Sequence, residues 1–257
     1  MLTWPAYDVT GRARPAPAPS TARDGGVAYG PAVDTISVAV DHERATATLT
    51  LDRPDKKNAL SAHLRDEVTT ALAGLAADER LKSVVVTGAG DVFSAGFDLG
   101  EFGRAADDPA FGEELWASSD RFHHALLRFP LPLVAAVNGP ALAGGFDLAI
   151  CCDVRVAADT ARFAHPEFTF GDVVYSPLHE LVGGAVARDL CLTGRPIDAT
   201  EALRLGVVTA VVPRAELDAS VADVTARIAT APRPVLLRTK AKAIARARIT
   251  LGATLDL

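Results

Sequence analysis

Sulfur and aromatic rings are scarce in this chain: three cysteines, one methionine and two tryptophans are spread over 257 residues. Cys151 and Cys152 are adjacent inside an apolar stretch and Cys191 stands apart. That odd set suits neither a disulfide framework nor spaced zinc ligands, and reads as reduced core thiols. Positive charge is not in surplus either, since 26 Lys and Arg against 32 Asp and Glu give a net charge of -6. A general nucleic-acid surface, which needs clustered cations, is excluded. The basic residues that do gather, Arg238, Lys240, Lys242, Arg246 and Arg248, read as a solvated helix face. No apolar run is long enough for lipid: Leu131 to Ala158 is interrupted by Asn138, Gly139, Pro140 and Asp147. The first residues lack the basic and apolar regions of a secretory signal. The expectation is a cytoplasmic protein without a membrane partner. Three common signatures are missing as well. Gly88-Ala-Gly90 has no third glycine at dinucleotide spacing, and neither a Walker-type Gly-Lys-Ser/Thr nor a Gly-x-Ser-x-Gly elbow occurs.

What is present is an ordinary globular balance, 49% hydrophobic and 23% charged, with enough apolar residues for a sizeable core. Residues 1–32 carry Arg-Pro-Ala-Pro-Ala-Pro-Ser and Asp24-Gly-Gly without a periodic apolar face, the composition of a flexible arm. Thr35 to Val40 and Ala45 to Leu51 alternate apolar and polar residues around Asp41-His-Glu-Arg44, which predicts a hairpin. Ser61 is a candidate N-cap for a helix whose Leu64, Val68, Leu72 and Leu75 share one face. Ser83 to Thr87, Leu133 to Val137 and Val154 to Ala157 read as buried strands. Helices are predicted over Glu113 to Leu127, from Gly145 to Cys151, and in amphipathic segments at Pro177 to Cys191, Thr200 to Leu205, Arg214 to Ile228 and Pro232 to Ala247. Repeated strand-then-helix units argue for an α/β layered fold with parallel strands.

Two glycine-containing turns carry the chemistry. Phe93-Ser-Ala-Gly-Phe-Asp-Leu99 and Asn138-Gly-Pro-Ala-Leu-Ala-Gly-Gly-Phe-Asp147 each follow an apolar strand. A glycine permits a sharp turn and close approach to the main chain, and N–H groups at a helix start point outward without partners. Two such turns converging would hold one oxyanion, whereas either alone reads equally as a tight strand-to-helix connection.

The ordered set of Leu51-Asp-Arg-Pro-Asp-Lys-Lys-Asn-Ala-Leu60, the two glycine turns, and Cys152-Asp-Val-Arg155 leading to Phe163-Ala-His-Pro-Glu167 resembles the enoyl-CoA hydratase/isomerase (crotonase) superfamily from about Val33 to Ile244. The resemblance implies a spiral of ββα units over a core at 33–212 and a shortened helical region at 213–257. It implies acyl-CoA thioesters as ligands, a homotrimer or dimer of trimers, and no metal or redox cofactor beyond the substrate's own coenzyme A. It assigns backbone oxyanion donors to Phe97 and Gly144, proton transfer to Glu167 and Asp147, and substrate contacts to Arg53, Lys56, Lys57, Ala95, Asp98 and Tyr175. Glu167 would give a proton to C2 of the acyl group while Asp147 helps activate water at C3. In the isomerase version Glu167 shuttles a proton between C2 and C4.

The chain departs from the pattern in places. Hydratases usually carry Glu where this chain has Asp147, which withdraws the carboxylate by roughly 1.5 Å. The dienoyl-CoA isomerase branch has an acid where Tyr175 stands, and many relatives have a Lys where Gly100 stands. Two rival readings are a serine hydrolase, using Ser94 or Ser176 with His165 or His179, and a non-catalytic binding protein on the same fold.

Overall fold

Strand β1 (Ile36–Asp41) folds back antiparallel onto β2 (Thr46–Leu51), and from there the main sheet grows in parallel through β3 (Ser83–Gly88), β4 (Leu133–Val137), β6 (Val154–Ala158) and β9 (Ala210–Val212). The structure, a computed structural model, describes residues 34–247, 249 and 252–257. The arm expected at 1–32 lies outside the described residues. Helix α1 (Ala62–Ala77) connects β2 to β3, and α2 (Leu99–Asp107) and α3 (Pro109–Leu127) connect β3 to β4. Ser61 caps α1 by accepting a hydrogen bond from the Leu64 amide, and Leu64, Val68, Leu72 and Leu75 are all buried, as the periodicity predicts.

The central strands are apolar on both faces because both faces are covered. Val84, Val86, Ala135, Val137 and Ala157 join the main core, while Val85, Val134, Ala136, Val156 and Ala158 pack against Leu217 and Val221 of α8 (Leu217–Ala229). The last helix, α9 (Arg233–Arg246), is not simply a solvated face. Lys240 is buried and binds both oxygens of Asp153, at 2.6 and 2.5 Å, which corrects the surface expectation for that basic cluster.

A second, shorter set of pairings runs beside the main sheet. Strand β5 (Ala141–Leu142) pairs in parallel with β7 (Arg162–Ala164), which pairs antiparallel with β8 (Ile197–Asp198). Single parallel bridges add Leu60 to Phe97 and Ser94 to Ala141. Each turn of chain therefore gives one long strand to the main sheet and then a short extended segment to this second ladder. Helix α4 (Gly144–Cys151) leaves from β5. The segment predicted as one helix over Pro177 to Cys191 is two, α5 (Ser176–Val182) and α6 (Gly184–Thr193), broken at Gly183 with φ +77. The remaining helix, α7 (Ala199–Leu205), precedes β9. Among the described residues no helix is long and apolar enough to cross a membrane.

Candidate active site

The second ladder brings three distant stretches side by side. Ser94 bridges Ala141 and Leu142 pairs with Ala164, so the residues that follow each segment, Phe97, Gly144 and Glu167, emerge at one edge. Buried asparagines hold the turn before the first segment. Asn58 donates to the carbonyls of Ala89 and Val92 at 2.9 and 2.7 Å, and Asn138 donates to Gly90 at 2.8 Å while accepting from the Gly88 amide at 3.2 Å.

The two glycine turns share a construction. Gly96, with φ +90, immediately precedes Phe97, and Ala143, with φ +50, immediately precedes Gly144. A positive φ is costly for alanine, of order 1–3 kcal/mol, and persists only where the surroundings impose it. Here the Ala143 amide is tied to the Ala164 carbonyl at 2.9 Å. The turns touch: a β-carbon on Gly96 would lie 3.1 Å from the Gly144 nitrogen, and one on Gly144 would lie 2.7 Å from the Phe97 ring. Gly144 is the first residue of α4, so its N–H has no acceptor within the helix.

Asp147 in the first turn of α4 and Glu167 in a 3-10 turn at Pro166–Thr169 flank the His165 ring. His165 Nδ1 lies 3.0 Å from Glu167 Oε1 and 3.8 Å from Asp147 Oδ1. Burial pushes the Asp147 carboxyl up to about 8, with His165 opposing and Glu167 adding to the shift. Burial lowers the His165 pKa, but the Glu167 hydrogen bond and the charges of Asp147 and Glu167 outweigh it and the net shift is upward. Asp147 is thereby biased towards its protonated form. Asp147 Oδ1 and Glu167 Oε2 are buried without a hydrogen-bond partner in the protein.

These groups open on a cavity of about 740 Å³ whose wall includes Ala95, Phe97, Gly144, Asp147 and Glu167. Sequence reasoning missed most of its apolar wall: Leu99, Phe102, Trp116, Phe170 and Val174, with Thr254 from the chain's last residues. Phe97, Phe102 and Trp116 form a ring cluster with centroids 6.0 to 6.5 Å apart. No short motif marks these positions. They meet because α2 and α3 fold over the first glycine turn.

Several expected contact residues lie elsewhere. Arg53 and Asp98 bind each other at 3.0 Å, Arg53 also donates to the Ala59 carbonyl at 2.6 Å, and Asp98 caps α2. Tyr175 is outside the cavity wall and stacks near His179, while Asp172 is part of the wall. Lys56 and Lys57 are exposed, and the Lys57 carbonyl accepts from the Ala95 amide at 3.0 Å. Ser94 is fully buried, donates to the Asn58 carbonyl at 2.8 Å and accepts from the Gly96 amide at 3.2 Å. It staples the turn and does not meet a histidine base, which removes it as a nucleophile.

Two clusters have metal-like composition, Asp147 with His165 and Glu167, and Asp34 with His63 and Glu67. In the first, His165 Nδ1 is taken up by Glu167 Oε1 at 3.0 Å. In the second, Glu67 is taken up by the Asp34 and Thr35 amides, each at 3.0 Å.

Residues 41–256 match the family described as Enoyl-CoA hydratase/isomerase. The chain is 37% identical over 185 residues, 70% of each chain, to a probable enoyl-CoA hydratase of Mycobacterium tuberculosis. It is 35% identical over 203 residues, 76% of this chain and 73% of the relative, to a 4-chlorobenzoyl coenzyme A dehalogenase of an Arthrobacter species. A solved enoyl-CoA hydratase of Mycobacterium smegmatis matches with TM-score 0.78 and 32% identity, covering 85% of this chain and 86% of that one. The chain belongs to the enoyl-CoA hydratase/isomerase family, as an enzyme with the crotonase fold.

Proposed function

We propose that this enzyme acts on acyl-coenzyme A thioesters as an enoyl-CoA hydratase, with the thioester oxygen held between the main-chain amides of Phe97 and Gly144. The observation that carries this reading is the pair of carboxyl groups in unlike surroundings, Asp147 raised by burial and Glu167 bonded to His165, at the cavity wall that both glycine turns share. Adding water to C3 of an enoyl thioester drives negative charge onto the carbonyl oxygen. Preorganised donors there are worth about 3 kcal/mol each.

Hydration needs a base for water and an acid for C2, and two carboxyl groups whose environments differ supply both. Glu167 takes a proton from water through Oε2 as the water oxygen bonds to C3, and Asp147 gives its proton to C2. This exchanges the donor and acceptor expected from sequence, because burial keeps the proton on Asp147. Lys56 and Lys57, joined through their main chain to the cavity at Ala95, are proposed to meet the coenzyme phosphates. A trimeric assembly in the cytoplasm belongs to the same reading, and light scattering tests the trimer.

A second reading is a double-bond isomerase, favoured by the unpartnered Oε2 of Glu167, since one ionised carboxyl can carry a proton from C2 to C4 alone. Mass spectrometry of crotonyl-CoA, 3-enoyl-CoA and 2,5-dienoyl-CoA reactions separates the two. Gain of one water supports the hydratase, and rearrangement at constant mass supports the isomerase. Glu167→Gln lowers kcat at least about 100-fold with little change in KM. Failure of the wild-type enzyme to convert any thioester in the panel overturns both.

A further inference from the structure

His165 is two residues before Glu167, fully buried, and packed at a tilt against the Phe146 ring with centroids 4.8 Å apart. One ring nitrogen, Nδ1, faces both carboxyl groups, at 3.0 Å from Glu167 and 3.8 Å from Asp147. The other, Nε2, is buried without a partner. A proton on Nδ1 donated to Glu167 Oε1 satisfies this contact and leaves the enclosed Nε2 without an orphaned N–H. It also divides the Glu167 carboxylate: Oε1 is occupied and Oε2 is left without a partner.

The surroundings offer the two carboxyl groups few partners. Two carboxyl groups buried within reach of one another resist ionising together. Among the described residues no Lys or Arg forms an ion pair with either, and His165 stands within 4 Å of both. From α6 the nearby ionisable group is Cys191, whose thiol is pushed up to about 12, and from α4 it is Cys151, also raised by burial. Both stay neutral. The backbone holds the grip in place: the Phe170 and Gly171 amides both donate to the Glu167 carbonyl at 2.8 Å.

We propose that His165 is a positioning residue of this enzyme: its Nδ1 grips Glu167 by Oε1, leaves Oε2 for the reacting proton, and stands between Glu167 and Asp147. The proposal rests on the acyl-thioester reading above, and deepens it by adding a third member to the proton-transfer pair. Glutamine and alanine test the grip, since an amide can donate to Glu167 and a methyl group cannot.

The test measures kcat and KM against pH for His165→Gln, His165→Ala and Glu167→Gln, using a thioester the wild-type enzyme converts. His165→Gln keeps KM within about twofold and loses about 10-fold in kcat at pH 7. His165→Ala loses at least about 100-fold in kcat, and glutamine restores part of it. A structural role alone would lower stability without this split between kcat and KM or the recovery by glutamine. Wild-type kinetics in both His165 variants, with Glu167→Gln inactive, overturns the proposal and leaves the acyl-thioester reading standing. An inert wild-type enzyme overturns that reading instead. Should the His165 variants not fold, nitrogen NMR of the wild-type enzyme gives the answer: the ring assigned to His165 carries a hydrogen-bonded proton on Nδ1, and that signal changes in Glu167→Gln. A neutral His165 ring protonated on Nε2 alone overturns the proposal.

Discussion

Gly96 faces Ala143 so closely that a β-carbon on Gly96 would lie 2.6 Å from the Ala143 Cβ and 2.8 Å from the Leu142 carbonyl oxygen. With φ at +90 as well, Gly96→Ala must shift one glycine turn against the other. The expected outcome is a stability loss of about 1–3 kcal/mol and a kcat lowered about 100-fold, since displacements near 1 Å carry that cost. Gly183→Ala is the control. It shares a positive φ, but its β-carbon would meet nothing within 4 Å, so turnover stays at the wild-type level. Urea unfolding and steady-state kinetics on both variants check the contrast.

Arg65 links the first glycine turn to the helices beneath it. It is fully buried, donates to the carbonyls of Leu60 and Leu115 at 2.7 and 2.8 Å, and lies 4.4 Å from the centre of the Phe97 ring. Arg65→Met removes the side-chain donor from both carbonyls. The expected loss is about 3 kcal/mol in urea unfolding, with a lowered kcat because Phe97 loses its support. An unchanged unfolding midpoint refutes this role.

Asp147 makes stability depend on pH in a known direction. Its folded pKa of about 8 stands above the ordinary carboxyl value of 3.8, so between those values the folded state holds a proton that the unfolded state has released. That contribution is fully present below pH 3.8 and is lost as pH rises towards 8. Asp147→Asn removes it. Wild-type Tm should therefore fall relative to Asp147→Asn across that interval, and parallel Tm profiles would falsify the assignment.

Phe102 forms part of the cavity wall beside Phe97 and Trp116. Phe102→Ala enlarges the space for the acyl group. The ratio of kcat/KM for a long-chain over a four-carbon thioester should rise about 10-fold, the scale of discrimination by pocket size. A ratio equal to that of the wild type means the acyl group does not reach this wall.

The long elements were legible because their periods are unambiguous: the buried face of α1 and the continuously apolar β3 and β4 appear where the sequence predicts them. The second ladder was not. Its segments, such as Ala141–Leu142 and Ile197–Asp198, are only two residues long, too short for alternation to register. Helix α2 escaped notice for a related reason, since it buries no residue fully and its Leu99 is 68% exposed. At the site, the two glycine turns stood out in the sequence, the family resemblance pointed to Asp147 and Glu167, and residues of all of them line one cavity. His165 was weighed only as a hydrolase base, because its significance comes from a carboxyl group eighteen residues away that reaches it across the ladder. Arg53 illustrates the opposite: a loop arginine invites a ligand in sequence, and the Asp98 that pairs with it lies 45 residues away.

All three cysteines are buried, and each thiol is held well above its ordinary pKa by its surroundings. Thiolate is the reactive form, so the folded molecule presents almost none of it to solution. A thiol-specific dye consequently reports opening of the interior, and its labelling rate serves as a clock for unfolding without any engineered probe.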